Sequence, residues 1–345
     1  MYDLINLYKR IRKKHGIHKD YRSKYAFVGI GNHSLHNLYP VIDFLHIPLK
    51  YIVSKSLSSK DLINRSFPSV TGTNDYDEVL NDPEINGIFI CATPSVHYEL
   101  TKKALAANKN VFTEKPVCLT SQDLQDLIDT LKNSSATCLV GMQKRFSIST
   151  SLLKKKLKKQ HIISYFYRFQ IGAYPEGNVF RDIFIHPVDY VLFLFGNAEV
   201  VSALKTQQDD GRQSVMLQLR HPENVIGAVE ISTQYAWSQS KEVLSINTEE
   251  GMFEMENHQV LTYSPKPLSI LSMPVEKVFP QVPETQYLFN GNNFLPVFQN
   301  NQLVSQGYFG EIQSFTDICE NKSSRNISSL ESLKATYKIL EIIQK

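Results

Sequence analysis

The chain has 345 residues, a formal net charge of +3, and 42% hydrophobic and 21% charged residues. This length exceeds what one hydrophobic core usually serves, so two domains are expected, and the composition excludes a disordered or fibrous protein. The small net charge gives no reason to expect a nucleic-acid partner. No apolar run reaches the roughly 18 residues of a membrane span, so stable membrane insertion is not expected.

The cysteines and the first residues indicate a cytoplasmic protein. The four cysteines lie far apart and form no CxxC pair: Cys91, Cys118, Cys138 and Cys319. They are therefore expected to be reduced core residues rather than a disulfide framework or a metal site. Residues 1–25 contain no apolar stretch of secretory length and no small-residue cleavage site, so no signal peptide is predicted.

Residues 1–24 form a basic extension ahead of the first predicted strand. Leu4, Leu7, Tyr8 and Ile11 follow the i, i+3, i+4, i+7 spacing of an amphipathic helix, with basic residues between and after them. The pattern fits a helix packed on the protein or an interfacial membrane helix. We favour the packed helix because the apolar face is short.

Strands and helices alternate from residue 25 to residue 145. The predicted strands are 25–29, 49–53, 87–93, 110–113 and 136–141, and the predicted helices are 35–45, 59–65 (a polar helix or turn), 98–107 and 121–131. Strands separated by helices of this length imply parallel βαβ units with right-handed crossovers. We predict an α/β Rossmann domain with a doubly wound parallel sheet over residues 25–145.

The pattern changes after residue 145. An apolar helix is predicted at 187–195, and Val215, Leu217 and Leu219 alternate with polar neighbours as in a half-buried strand. Further strands are predicted at 225–232, 242–248 and 252–256, loops and short strands at 265–302, and a final helix at 329–344. Strands clustered after a helix predict a mostly antiparallel sheet, hence an α+β second domain over residues 146–345.

A glycine-rich loop follows the first predicted strand and opens the first helix. It reads Gly29, Ile30, Gly31, Asn32, His33, Ser34, which is a GxGxxG/A-type loop with serine in the last place. Gly29 permits the tight turn, and Gly31 lets the backbone approach a pyrophosphate at the helix N-terminus. The position at the start of a βαβ series strengthens the motif, so we predict a dinucleotide site.

The end of the second predicted strand bears on the choice between NAD and NADP. An NAD enzyme usually carries an acidic residue there to bind the ribose 2′-hydroxyl. Here the sequence reads Ser54, Lys55, Ser56. Hydroxyls and a lysine can bind a 2′-phosphate, which a carboxylate would repel, so NADP is favoured over NAD. Asp61 lies close enough in sequence to leave NAD open.

Three further stretches suggest a specific family. They read ATPSVH at 92–97, EKP at 114–116 and DIFIHPVD at 182–189. With the glycine loop, an Asp82-Pro83 pair and QKRF at 143–146, they occur in the order and approximate spacing of one family. Over residues 25–345 the chain resembles the glucose–fructose oxidoreductase / inositol dehydrogenase / MocA (Gfo/Idh/MocA) family.

The resemblance implies a fold and a set of functional residues. It implies a Rossmann domain followed by a domain with a large open sheet, which often forms the contact of a homodimer or homotetramer. It places Lys115 and His186 at the nicotinamide, with Asp182 as the accompanying carboxylate. The expected cofactor contacts are the glycine loop, Ser54, Lys55, Thr93, Pro94, His97, Glu114, Lys115 and Arg145.

The proposed roles are consistent with the chemistry of alcohol oxidation. A histidine suits the proton that leaves the alcohol, and a lysine ammonium can stabilise the developing oxyanion. A carboxylate can orient the imidazole, which is the role expected of Asp182. Proline disfavours helical geometry in the residue before it, so a helix that begins at Pro187 would leave Asp189 as the alternative partner of His186.

The sequence supports one leading function and two alternatives. The leading one is an NAD(P)-dependent dehydrogenase or reductase that acts on a CH–OH group of a small molecule, namely a sugar, cyclic polyol or nucleotide-sugar. The first alternative is a non-catalytic dinucleotide sensor, which would need neither Lys115 nor His186. The second is an imine reductase, in which His186 would protonate nitrogen. Arg181 could contact a substrate anion or form a salt bridge.

Overall fold

The protein is described here by a computed structural model that covers residues 21–67, 69–174, 177–236, 240–271, 273–277, 284–291, 301–323 and 325–345, with residues 5 and 280 as single positions. The helix predicted over residues 4–11 lies outside these ranges apart from Ile5. Among the described residues, none of the helices combines the length and apolar character needed to cross a membrane. All four cysteines are described, and each is buried with no disulfide between any two of them.

The chain forms sixteen strands and a set of helices within the described ranges. The strands are β1 Lys24–Val28, β2 Leu49–Val53, β3 Thr71–Thr73, β4 Ile85–Ile90, β5 Asn110–Glu114, β6 Cys138–Gly141, β7 Ile162–Gln170, β8 Glu199–Gln207, β9 Gln213–Arg220, β10 Ile226–Ser232, β11 Lys241–Thr248, β12 Gly251–Glu256, β13 Val260–Pro265, β14 Ser269–Ile270, β15 Met273–Pro274 and β16 Gln286–Asn290. The α-helices are α1 Tyr39–Phe44, α2 Leu57–Ser66, α3 Tyr76–Asn81, α4 Pro94–Ala106, α5 Ser121–Lys132, α6 Ile148–Leu157, α7 Ile185–Phe195, α8 Gln302–Ser305, α9 Tyr308–Cys319 and α10 Lys334–Gln344. π-Helical turns at Ser34–Leu38 and Phe180–Phe184 lead into α1 and α7, and short 3-10 helices lie at Gln143–Phe146, Pro222–Asn224, Val275–Lys277 and Glu331–Leu333.

The first compact unit comprises the described residues of Met1–Glu114, Asp129–Leu139 and Ile312–Asn326. Its six-stranded sheet has the order β3-β2-β1-β4-β5-β6, with the strand order reversing between β1 and β4. The pairs β1–β2, β1–β4, β2–β3 and β4–β5 are all parallel. The predicted doubly wound parallel sheet is therefore confirmed, and its topological switch point lies at the ends of β1 and β4.

The core of the first unit includes a helix that comes late in the sequence. Phe315 of α9 packs against Phe89 of β4 with ring centroids 5.0 Å apart, and against Phe112 of β5 at 6.1 Å. A Cβ atom on Gly87 would lie 3.2 Å from the Phe315 ring, so a side chain at this position would crowd the ring. The linear prediction assigned this helix, like everything after residue 145, to the second domain.

The second compact unit comprises Lys115–Ile128, the described residues of Val140–Glu311, and Ile327–Lys345. Its eight-stranded sheet has the order β16-β13-β12-β11-β7-β10-β9-β8. The strands pair antiparallel except β7 and β10, which are parallel. One face of this sheet is buried by apolar side chains such as Tyr167, Leu217, Val229, Leu244 and Phe253. The predicted mostly antiparallel sheet of an α+β domain is confirmed.

Both units are assembled from separate stretches of the chain. The predicted boundaries at 24/25 and 145/146 stay predictions. Three strands that the pattern did not predict, β7, β8 and β13, belong to the large sheet.

Candidate functional site

The glycine loop has the geometry that a dinucleotide phosphate needs. Gly29 has φ +99, and a Cβ atom there would lie 2.2 Å from the carbonyl oxygen of Cys91, so only glycine fits. A Cβ atom on Gly31 would meet nothing within 4 Å, which leaves open space beside the loop backbone. Helical hydrogen bonding begins with the Leu35 N–H donating to Gly31 O at 3.0 Å. The loop therefore fits a pyrophosphate at a helix N-terminus.

The Ser34 side chain hydrogen-bonds to the backbone of the loop. Its buried hydroxyl accepts a hydrogen bond from the Gly31 N–H at 2.8 Å and donates to Gly31 O at 2.9 Å. Asn32 and His33 are exposed beside it. The serine in the last place of the motif thus holds the loop conformation, while the two residues before it face outward.

His33 connects the glycine loop to the end of β5. Its Nε2 lies 3.4 Å from Oε1 of Glu114, and its Nδ1 lies 3.0 Å from the side-chain nitrogen of Asn37. Glu114 is the last residue of β5 and is buried. Two residues predicted to contact the cofactor are therefore neighbours above the carboxyl ends of the strands.

The turn after β4 carries the ATPSVH stretch. Thr93 is exposed with extended backbone angles, and α4 begins at Pro94. His97 is buried, and its Nε2 lies 2.9 Å from Ala92 O. His97 therefore stabilises the turn from its buried side, and Thr93 and Pro94 form the accessible part of the turn.

The residues after β2 are the predicted contacts of the adenosine ribose. β2 ends at Val53, so Ser54 and Lys55 are the first two residues beyond the strand. Ser54 is buried, with its N–H donating to Thr73 O at 2.9 Å and its hydroxyl donating to Ser56 O at 3.3 Å. Lys55 is exposed. The strand end therefore presents a lysine rather than a carboxylate.

Lys115 and Asp182 meet within the second unit through a backbone contact. Lys115 Nζ donates a hydrogen bond of 2.6 Å to the main-chain oxygen of Asp182. The Asp182 carboxylate oxygen Oδ2 accepts from the Asn178 N–H at 2.8 Å and from the Tyr174 hydroxyl at 3.3 Å. The carboxylate thus stabilises the preceding loop, and its role in orienting His186 stays a prediction.

His186 lies on the same helical run as Asp182. The backbone is helical through Phe180–Phe184 and continues into Ile185–Phe195, so Pro187 falls in the first turn of α7 instead of starting it. His186 therefore follows Asp182 by about one turn of a continuous helix, and it is only partly buried. The expected break between the two residues does not occur.

Arg145 has a structural environment within the second unit. Its Nε donates to Oδ2 of Asp189 at 2.8 Å, its Nη2 pairs with Oδ1 of the same carboxylate, and its Nη1 donates to Ile327 O and to Ser332 Oγ, both at 2.8 Å. Both members of the pair are buried. Asp189 is also bound by Thr336 at 3.1 Å, and its role as the alternative partner of His186 stays a prediction. The cofactor role of Arg145 stays a prediction that this geometry does not support.

Arg181 also has internal partners. Its guanidinium lies 4.8 Å from the ring centroid of Tyr337, and Nη2 lies 3.7 Å from Oε1 of Glu341. The side chain is buried. Of the two interpretations offered by the sequence, the geometry favours a salt-bridge residue.

Three residues that contact the candidate site residues were not predicted from the sequence. The missed residues are Tyr174 and Asn178 as partners of the Asp182 carboxylate, and Asp189 as the partner of Arg145. Asn178 carried a signal, because its side chain accepts from the Phe180 N–H at 3.0 Å as an asparagine at a helix N-cap does. The other two contacts join residues that are distant in sequence or lie in a loop without pattern.

Two family models match the chain. The Gfo/Idh/MocA oxidoreductase model with an NAD-binding Rossmann fold matches residues 23–142, and the Gfo/Idh/MocA C-terminal domain model matches residues 167–254. Among characterised relatives, an inositol 2-dehydrogenase/D-chiro-inositol 3-dehydrogenase of Lactiplantibacillus plantarum is 24% identical over 253 residues, covering 68% of this chain and 71% of that protein.

Other relatives match over shorter stretches. The oxidoreductase YrbE of Bacillus subtilis is 29% identical over 135 residues, which is 36% of this chain and 40% of YrbE. A scyllo-inositol 2-dehydrogenase (NAD(+)) of the same organism is 32% identical over 141 residues, 38% of this chain and 41% of that enzyme. These matches span about two fifths of the length of each relative.

Solved structures share the whole architecture at low sequence identity. A dehydrogenase from Chromobacterium violaceum superposes with a TM-score of 0.80 at 17% identity, covering 94% of this chain and 95% of that one. Levoglucosan dehydrogenase in complex with NADH and levoglucosan gives 0.77 at 16% identity, covering 93% and 96%. The fold and the two family models agree with the resemblance carried by the motifs, and the chain belongs to the Gfo/Idh/MocA oxidoreductase family.

Proposed function

We propose that the protein transfers a hydride between a nicotinamide dinucleotide and a secondary alcohol or ketone of a sugar, cyclic polyol or nucleotide-sugar, in the cytoplasm. The observation that carries the proposal is Lys115, whose Nζ is held at 2.6 Å by Asp182 O about one helical turn before His186. A lysine and a histidine in this arrangement serve proton and oxyanion chemistry. Relatives named as inositol dehydrogenases support the substrate class.

The roles of the residues follow from the charge that develops on the substrate. The bound dinucleotide would supply or accept the hydride at nicotinamide C4. His186 takes the hydroxyl proton during oxidation and returns it during reduction. Lys115 directs its charge at the alkoxide or carbonyl oxygen, because a lysine ammonium carries three N–H donors and a positive charge. Gly29, Gly31 and the amides ahead of Leu35 hold the pyrophosphate.

A substrate screen with matched variants tests this activity. Purified protein is incubated with NADP⁺ or NAD⁺ and a panel of sugars, inositols and nucleotide-sugars, and reduced nicotinamide is followed by absorbance. We expect Lys115→Ala to lower kcat by about 10²-fold or more, because oxyanion stabilisation is lost. Lys155→Ala, at an exposed position on α6, should keep the wild-type kcat. A wild-type turnover rate in Lys115→Ala would contradict the catalytic role proposed for Lys115.

NADP is proposed as the preferred cofactor. The support is the exposed Lys55 at the end of β2, in a place where an NAD enzyme usually carries a carboxylate. Relatives include an NADP(+) and an NAD(+) scyllo-inositol dehydrogenase, so the family accommodates both. Fluorescence titration should give tighter binding of NADPH than of NADH, and Lys55→Glu should reverse the order. If the wild type bound NADH more tightly than NADPH, the proposed cofactor preference would be wrong and the proposed reaction would be unaffected.

Two other functions are kept as alternatives, and each predicts a different assay result. A non-catalytic sensor would bind the dinucleotide and turn over none of the alcohols or ketones. An imine reductase would consume NADPH with a cyclic imine, with His186 protonating nitrogen. We also propose self-association through the open face of the large sheet, which is supported by exposed apolar side chains there.

A further inference from the structure

The segment after β13 exposes several large apolar side chains to solvent. β14 and β15 form a short antiparallel pair in which Ile270 lies opposite Met273. The exposed fractions of Leu268, Ile270, Leu271 and Met273 are 80%, 67%, 91% and 57%. Single exposed apolar residues are ordinary on a protein surface, but four within six positions form a cluster that needs an explanation. We call these four residues the apolar hairpin.

The pairing of the two strands brings these side chains together. Residues directly opposite each other in a ladder point to the same face, so Ile270 and Met273 share one face. The alternation of side chains along a strand places Leu268 on that face as well, and its oxygen accepts from the Val275 N–H at 2.8 Å. Leu271 directly follows β14 with φ +48, a backbone conformation that asparagine or glycine adopts more easily. A large apolar side chain therefore stands where local conformation favours a small or polar residue.

A lysine-rich surface lies beside the start of the apolar hairpin. Its exposed members lie at the end of α6 and directly after β13: Lys155, Lys156, Lys158, Lys159 and Lys266. The Lys266 N–H donates to Glu250 O at 2.8 Å, and the Glu249 N–H donates to His161 O at 3.1 Å. The turn between β11 and β12 thus contacts both the residue that begins the hairpin segment and the residues that follow α6. The two groups of lysines are therefore neighbours within the second unit.

The charge of this surface is positive even when its carboxylates are included. Glu249 and Glu250 are exposed on the same turn, and Oε1 of Glu249 lies 3.2 Å from Nδ1 of His161. The five lysines outnumber these two carboxylates. Lysines in the last turn of a helix also complement the helix dipole, which accounts for part of the cluster on α6. It does not account for Lys266, which lies after a strand.

We propose that the apolar hairpin and the lysine-rich surface attach the protein to the surface of a membrane that contains anionic phospholipids. The lysines contact the headgroup phosphates, and the four apolar side chains enter the boundary between the headgroups and the acyl chains. A second copy of this chain fits this surface less well, because a symmetric contact would bring the same lysines face to face. The attachment is independent of the proposed hydride transfer.

Co-sedimentation of the full chain with lipid vesicles tests the attachment. We expect the wild type to bind vesicles of equimolar phosphatidylcholine and phosphatidylserine, to bind pure phosphatidylcholine far more weakly, and to dissociate as the salt concentration rises. Leu268→Ser with Leu271→Ser should lower the partition coefficient about tenfold or more, because apolar area is lost from the interface. Lys158→Glu with Lys159→Glu should lower it by at least about tenfold, because each lysine near an anionic surface contributes about fivefold.

Matched controls change the same residue types at exposed positions on other elements. Ile342→Ser on α10 is the control for the apolar variant, since Ile342 is 42% exposed. Lys103→Glu on α4 with Lys338→Glu on α10 is the control for the lysine variant. This pair changes the net charge by the same amount, so it separates local contact from overall charge. Both controls should bind the anionic vesicles as the wild type does.

An introduced tryptophan measures whether the hairpin enters the lipid. Leu271→Trp is combined with Trp237→Phe, since Trp237 is the only tryptophan of the chain. Brominated phosphatidylcholine in the anionic vesicles should quench its fluorescence, whereas Ile342→Trp in the same background should stay unquenched.

Absence of wild-type binding to the anionic vesicles at low salt would overturn the proposal, and so would an unquenched Leu271→Trp on bound protein. Binding retained in full by the hairpin and lysine variants would assign the contact to another part of the chain, such as the basic residues 1–24, and would overturn it as well.

Discussion

At the residue scale, a buried ion pair of the second unit joins Lys144 and Glu242. Lys144 Nζ lies 2.5 Å from Oε2 of Glu242, and His258 Nε2 lies 2.9 Å from Oε1. The Tyr167 hydroxyl also donates to Oε1. Burial alone would raise the pKa of Glu242, but the neighbouring Lys144 and His258 lower it below its usual range. The carboxylate is therefore charged at neutral pH and serves as the common partner of the cluster.

Glu242→Gln should be strongly destabilising. The substitution leaves the buried Lys144 charge without its counter-ion, which typically costs about 3–5 kcal/mol. The control is Glu230→Gln, which removes the partner of Arg168 at 2.9 Å in a pair whose side chains are 41% and 22% exposed. That change should cost about 1 kcal/mol or less. Urea unfolding measures both, and equal losses would contradict the distinction between the two sites.

A second residue-scale prediction concerns His221. Its Nδ1–H donates to Gly196 O at 2.8 Å, and its Nε2 accepts from the Tyr165 hydroxyl at 2.7 Å, so the neutral ring satisfies both neighbours. Burial lowers the pKa of His221 below its ordinary value, and the carbonyl acceptors oppose this only in part. The unfolded chain therefore binds this proton more readily than the folded one does.

The sign of the pH effect follows from that difference. The contribution of His221 to stability is present above the unfolded pKa of about 6.5 and is lost as the pH falls below it. We expect the free energy of unfolding of the wild type to fall between about pH 6.5 and 5 more steeply than that of His221→Gln, which cannot take up the proton. Parallel curves for the two proteins would show that another group sets the pH dependence.

At the element scale, α7 is fixed by the ion pair between Arg145 and Asp189. The pair is buried and bidentate, and Asp189 lies three residues after His186 on the same helix. Ile327 O and Ser332 Oγ bind the same guanidinium, so the segment ahead of α10 is attached to this helix as well. The ion pair thus sets where the helix that carries His186 lies within its unit.

Arg145→Lys separates this structural role from cofactor binding. A lysine ammonium cannot reproduce the planar fork of the guanidinium, so about 1–3 kcal/mol of stability should be lost. The NADPH dissociation constant of the folded fraction should be unchanged. Weaker NADPH binding at unchanged stability would support the original expectation that Arg145 contacts the cofactor. Thermal unfolding and fluorescence titration on one preparation give both values.

At the scale of the whole molecule, the outer face of the large sheet combines apolar and polar side chains. Leu204 of β8 lies opposite Met216 of β9, and Ile226 lies on the same face of β10. The exposed fractions of their side chains are 71%, 44% and 61%. Exposed apolar side chains on one face of a sheet are typical of an interaction site, which supports the proposed subunit contact.

Sedimentation analysis tests that contact. We expect the wild type to sediment as a dimer or larger oligomer, and the double variant Leu204→Lys with Met216→Lys to shift toward the monomer because two charges would be buried at the contact. Leu271→Lys is the control, since Leu271 is 91% exposed and follows β14, which belongs to a separate two-stranded sheet. A wild type that is monomeric at high concentration would exclude the proposed assembly.

The elements of the Rossmann unit could be predicted because their signals are local. β2 was predicted at its observed bounds, and β5 and α5 to within one residue of theirs. Apolar runs punctuated by glycine and proline identify strands that are buried on both faces. β7 was missed because Tyr165, Phe166, Tyr167 and Phe169 place aromatic rings on both faces, and β8 because it is an edge strand with little burial.

By itself the sequence determined the glycine loop, the order of motifs and the two kinds of sheet, because each depends on residues adjacent in the chain or spaced by a regular period. Only the tertiary structure decided that α9 completes the first unit, that Arg145 binds Asp189, and that Lys115 is held by the carbonyl of Asp182. These contacts join residues dozens of positions apart. Such partners are selected by packing and by the directions in which individual donors and acceptors point, and neither quantity has a periodic signature in the sequence.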